Sequence, residues 1–121
     1  MSSILFANTS AYPVLALNAQ TGTTYTPVLA DGNNTLVTLS NAAAIATTIP
    51  TNASVAYPIG TQITFIQIGA GQVTISAVTP GTTTITSTGA TSASPKLRTQ
   101  YSSASAVKVA TDAWYVIGDI V

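Results

Sequence analysis

The chain contains no histidine, no cysteine and no glutamate. Without them the commonest general base, the usual zinc ligands and the thiol nucleophile are all missing. No disulfide can form. Charge is scarce as well: charged residues make up 5% of the 121, against about 25% in an ordinary soluble protein. The full set is Asp31, Asp112, Asp119, Lys96, Arg98 and Lys108, which sums to zero. Three cations balanced by three anions cannot build the basic stripe that phosphate backbones require, so no nucleic-acid partner is expected. No apolar run approaches the ~20 residues of a bilayer span, so no membrane partner is expected either. The first ten residues carry no Lys or Arg, and the apolar stretch at 3–7 is too short for a secretion signal. Met1 is read as the start of a complete gene product.

What remains is hydrophobic residues at 46% and a polar fraction of mostly Thr, Ser, Asn and Gln. Thr, short and β-branched, suits a pleated surface. A chain of this length supports one compact domain with one core. Small monomers ordinarily keep net charge away from zero to stay soluble. A neutral, Thr-rich surface therefore points to a protein held in an assembly.

No helical period persists, whereas strand signals recur. Residues 35–40, 59–68, 72–78, 82–87, 97–101, 105–110 and 114–117 all read as strands. Val73, Ile75 and Ala77 share one side of theirs. Gly69-Ala70-Gly71 predicts a tight hairpin between two of these runs, the glycines supplying positive φ. Asn41–Ala46 reads as loop or one helical turn leading into a strand. Turn signals every 8–12 residues predict an all-β fold, a compact antiparallel β-sandwich or barrel-like domain. Residues 21–121 form that single β-domain. Residues 1–20 hold two apolar patches and read as an N-terminal arm or first strand pair, suited to anchoring or trimer contacts.

Catalytic constellations run out quickly, and no enzyme is expected. Asp112 and Asp119 bracket one strand and sit at its opposite ends, too scattered for a glycosidase pair. A Ser–Lys dyad through Lys96 or Lys108 has no further support. Gly69-Ala70-Gly71-Gln72 precedes a strand, not the helix that a phosphate loop needs. Asp31-Gly32-Asn33-Asn34 lacks the acidic count of a calcium loop and reads as a turn. No cofactor and no metal follow. The polar-site candidates are Lys96, Arg98 and Gln100, which alternate and so share one strand face, with Tyr101 beside them. A solvated edge is the competing reading of that row. Trp114 and Tyr115 adjoin and must face opposite sides, one to the core and one to surface or interface.

One resemblance extends over residues 22–121. Pro58-Ile59-Gly60-Thr61-Gln62-Ile63, Gln67 through Ile75, Lys96 through Ser102 and Trp114 through Asp119 together resemble a module of bacteriophage virion structural proteins. That resemblance implies a β-domain in a homotrimeric virion part, without catalysis. The expected function is a capsid decoration or cement protein that stabilises the head shell and contacts the major capsid protein. The alternative is a tail-fibre tip or adhesin module that recognises host-surface glycan through the loop at 82–94 and Trp114 or Tyr115. In either case the expected location is the virion, with Lys96, Arg98, Gln100, Tyr101, Trp114 and Tyr115 as partner or subunit contacts.

Overall fold

Ile45, Thr47 and Ile49 share one side of Ile-Ala-Thr-Thr-Ile at 45–49, as Val73 and Ile75 do of Val-Thr-Ile-Ser at 73–76, and both segments are strands with that face buried. The computed structural model describes residues 14–121. Six strands form one sheet: β1 (Ala16–Gln20), β3 (Thr35–Leu39), β5 (Gln62–Gln67), β7 (Thr84–Thr86), β8 (Ser103–Ala110) and β9 (Ala113–Gly118), in the order β1-β3-β5-β8-β9-β7. The other sheet is β2 (Thr24–Tyr25), β4 (Ile45–Ile49) and β6 (Val73–Ala77), in the order β2-β4-β6. A 3-10 turn spans Leu29–Gly32.

The expected antiparallel build is corrected here. β1, β3 and β5 pair in parallel, as do β2, β4 and β6, and β7 pairs in parallel with β9. Parallel neighbours need a crossover, usually a helix. In this chain the crossover is a strand of the other sheet. The first six strands thus wind as three successive turns, β1–β2, β3–β4 and β5–β6. Antiparallel pairing begins at β8, which joins β5 on one side and β9 on the other.

The expected hairpin at Gly69-Ala70-Gly71 is corrected for the same reason. β5 and β6 lie in different sheets, and these residues form the corner between them. Neither glycine has positive φ; Gly60, Gly81 and Gly118 do. Their smallness serves close stacking instead. A Cβ on Gly71 would stand 1.8 Å from the Ala43 carbonyl oxygen, and one on Gly69 2.6 Å from that of Asn41. The corners are tied one onto the next: Gly71 N–H donates to Asn41 O at 2.8 Å, Ser40 N–H to Gln20 O at 3.0 Å, and Asn41 Nδ2 to Thr21 O at 2.8 Å.

One core takes the inward side chains of both sheets, among them Val37, Leu39, Ile63 and Phe65 from the larger and Ile45, Ile49, Val73 and Ile75 from the smaller. Tyr57 and Trp114 close one part of it as an edge-to-face pair with ring centroids 5.4 Å apart. β7 falls within the expected strand at 82–87 and takes the sheet's edge. The expected strand at 97–101 is not formed. Lys96 and Leu97 make single bridges to Thr74 and Ile120, and the chain then turns through Tyr101, whose φ is 69°. Of the arm expected at 1–20, residues 1–13 lie outside the described residues, and β1 is hydrogen-bonded into the larger sheet.

Candidate functional site

The larger sheet has one face on the core and one face open. Register places Leu17 beside Leu36, Leu36 beside Thr64, Thr64 beside Ser105 and Ser105 beside Ile117, a single row across five strands. A second row runs from Gln62 through Val107 and Tyr115 to Thr86. These side chains point away from the buried set, because residues alternate sides along each strand. Leu17 is 72% exposed, Ile117 63% and Tyr115 51%. No outward position on these six strands carries a charge. Apart from Gln62 its polar members are short, and they partly pair with one another, as Thr64 Oγ1 does with Ser105 Oγ at 2.9 Å. The open face is therefore a neutral surface of aliphatic, aromatic and hydroxyl groups. It can be dewetted without stripping water from an ion.

Tyr115 also borders a hollow of about 360 Å³ at the edge of this face, lined by Thr86, Ser87, Thr88, Tyr115, Ile117 and Gly118 among others. Trp114, its neighbour, points the other way and is buried in the core at 2% exposure. The outward aromatic of the pair is Tyr115.

The predicted polar row is placed at one end of the molecule. Lys96 and Arg98 are exposed on either side of buried Leu97. Arg98 is engaged within the chain: Nε donates to Asp119 Oδ1 at 2.7 Å and a terminal nitrogen to Oδ2 at 2.8 Å. This two-point pairing is the favoured geometry for a guanidinium on a carboxylate. Ser102 Oγ donates to the same Oδ2 at 2.6 Å. The Arg98 bond, then Ser102, holds the Asp119 carboxyl below its ordinary value, and Asp119 in turn raises Arg98. Gln100 Nε2 donates to Ile68 O at 2.9 Å, and Tyr101 stands 67% exposed beside it.

Two buried charges escape the sequence patterns. Asp31 lies in the 3-10 turn, where Oδ1 accepts from Asn18 Nδ2 at 2.8 Å and Oδ2 from the Val28 N–H at 3.0 Å and the Tyr25 hydroxyl. Burial, then the bond to Asp31, pushes the Tyr25 phenol up to about 12; burial and Asp31 also push Tyr57 upward. Lys108 lies on the core face of β8, 2% exposed, behind the small Ala104 and Ala106. Its Nζ donates to Asn52 Oδ1 at 2.5 Å and to Tyr57 O at 2.7 Å. Among the described residues no carboxylate reaches Nζ, the ion pair found being Arg98 with Asp119. The alternation at 105–110 places Ala106 and Lys108 on one side. A lysine on the inward side has no signature in that pattern.

No model of a known protein family matches the chain. No curated protein is similar in sequence. Among the described residues no three potential metal ligands converge, and no helix is long and apolar enough to cross a membrane.

Proposed function

We propose that this chain is a non-enzymatic structural subunit of a bacteriophage particle, a decoration or cement protein bound to the head shell as a homotrimer. The observation that carries the docking part is the charge-free open face of the six-stranded sheet. Burying such a face gains roughly 25 cal/mol per Å² of apolar area and strands no unpaired ion. The assignment to a phage particle rests on the resemblance of residues 22–121 to virion modules. On this reading the two sheets around one core form a sandwich-like body, and the segment at 1–20 supplies anchoring contacts to neighbours and to the major capsid protein. The test is imaging of particles with and without the protein. Added three-fold density on the head shell is expected; density confined to the tail, or none, rejects the cement role.

A second reading is supported by Tyr115 and the hollow beside it. An exposed ring next to the Thr86, Ser87 and Thr88 hydroxyls suits a sugar, which stacks its apolar face and hydrogen-bonds at its rim. The chain would then be a tail-fibre tip or adhesin module. A glycan array separates the two, since a cement protein gives no signal and an adhesin loses its signal on Tyr115→Ala.

A further inference from the structure

Lys108 has no part in the open face, and its side chain ends inside the molecule. Its amine is buried, faces neutral oxygens and touches a side-chain carboxamide at 2.5 Å. We propose that Lys108 and Asn52 join through an isopeptide bond that the folded protein forms on itself.

That contact is a hydrogen bond to the Asn52 carboxamide oxygen, and it brings the amine beside the carbonyl group; attack requires Nζ to move from the oxygen to a position over Cγ. Both partners are held. Lys108 is fixed by the strand: its N–H donates to Thr61 O at 2.9 Å, and its carbonyl accepts from Gly60 N–H at 2.7 Å. A register shift follows it at once, between Lys108 and Ala110, and such irregularities re-aim side chains. Asn52 sits in the turn after β4. Its backbone N–H donates to Asp112 Oδ1 at 2.7 Å, and the Thr83 hydroxyl donates to the same oxygen at 3.1 Å. Asp112 thus anchors the turn from the β8–β9 hairpin and acts as a positioning residue. The Tyr57–Trp114 pair lies alongside, with Trp114 opposite Lys108 in the register. A buried ammonium without a counter-charge is costly. Conversion to an amide removes that cost, because the product is neutral.

The reaction balances without an added reagent. A proton passes from Nζ along its hydrogen bond to Asn52 Oδ1, and the freed amine attacks Cγ of Asn52. The tetrahedral centre expels the side-chain nitrogen, so the Cγ–Nδ2 bond breaks as the Cγ–Nζ bond forms. The two protons lost by Nζ leave with that nitrogen. One ammonium and one carboxamide become one secondary amide and one ammonium ion, with no change of oxidation state. The product staples the turn after β4 to β8, a covalent brace in a chain that cannot form disulfides. It stands independently of the particle reading.

Intact mass of the full chain tests this. The wild type is expected about 17 Da below its sequence mass, the mass of one ammonia, and Lys108→Arg at its full sequence mass. Trypsin gives a second reading that needs no variant. Its sites are Lys96, Arg98 and Lys108, and an acylated Lys108 resists cleavage. Residues 1–96 should therefore stay attached to residues 99–121 after digestion. A wild type at its full mass, or separate peptides 99–108 and 109–121, overturns the proposal. So does a deficit that persists in Lys108→Arg, which would mark a succinimide at Asn52.

Discussion

Asp31 is buried without facing a cation, so its worth lies in hydrogen bonds. Neutral donors on a carboxylate make charge-assisted bonds, stronger than neutral pairs. Asp31→Ala would leave the Tyr25 hydroxyl and the Val28 N–H without their acceptor, and Asn18 Nδ2 with the Tyr25 oxygen alone. We expect a loss of about 2–4 kcal/mol in urea unfolding, with the fold retained. The same cluster sets an alkaline limit. Tyr25 carries a phenol raised from 10.0 to about 12 in the folded chain. Folding therefore favours the protonated ring. Its contribution is complete below pH 10 and is lost as pH rises through about 12. Circular dichroism of the wild type should show stability falling across that window. Tyr25→Phe should start less stable at neutral pH and fall less steeply. A slope as steep in the variant as in the wild type would falsify this assignment.

The corners between sheets decide whether the strands can stack. Gly71 passes so close to Ala43 that an added methyl meets backbone, which cannot swing aside as a side chain can. Gly71→Ala should cost roughly 2 kcal/mol or more. Gly81→Ala is the contrast: nothing lies within 4 Å of its Cβ position, and its penalty comes from a φ of 93°. Thermal unfolding of both variants measures the difference, with Gly71→Ala expected to melt lower. The strands themselves were largely legible, because alternation reports burial of one face. Thr35–Leu39 and Val73–Ala77 follow their patterns closely, whereas β4 opens at Ile45, inside the stretch at 41–46 that reads as loop or one helical turn. Residues 97–101 did not follow theirs, since Leu97 alternates with its neighbours yet the backbone turns at Tyr101. Partner and direction were not legible, because a strand buries the same face whether its neighbour runs parallel or antiparallel.

At the scale of the molecule, Asp31 and Lys108 are buried, Arg98 and Asp119 pair with each other, and the open face of the larger sheet is neutral. Attachment through that side should tolerate salt, since screening acts on exposed charges and there are none to screen. Binding to shells, or self-association followed by sedimentation, should change little between low and high salt. A steep loss between the two would point to an ionic contact elsewhere. Ile117→Lys tests the face itself. Ile117 is 63% exposed, so the folded monomer should keep its stability within about 0.5 kcal/mol. Association should weaken by about tenfold or more, because a buried ammonium has no partner there. Among the predicted site residues, Tyr115 faces out and Trp114 in, a division that adjacency on a strand already required. Trp114 packs edge-to-face on Tyr57, a residue of a distant loop, and adjacency alone does not say which of the two faces the core. Asn52 and Lys108 are 56 positions apart, and no spacing rule connects them. Composition and alternation were enough to specify strands, a neutral surface and the lack of ordinary catalytic groups, since these depend on residue type and nearest neighbours. Parallel winding, the stacked corners, the open face and the Lys108–Asn52 contact arise from pairings across long stretches of chain, and those are settled by packing around a common core.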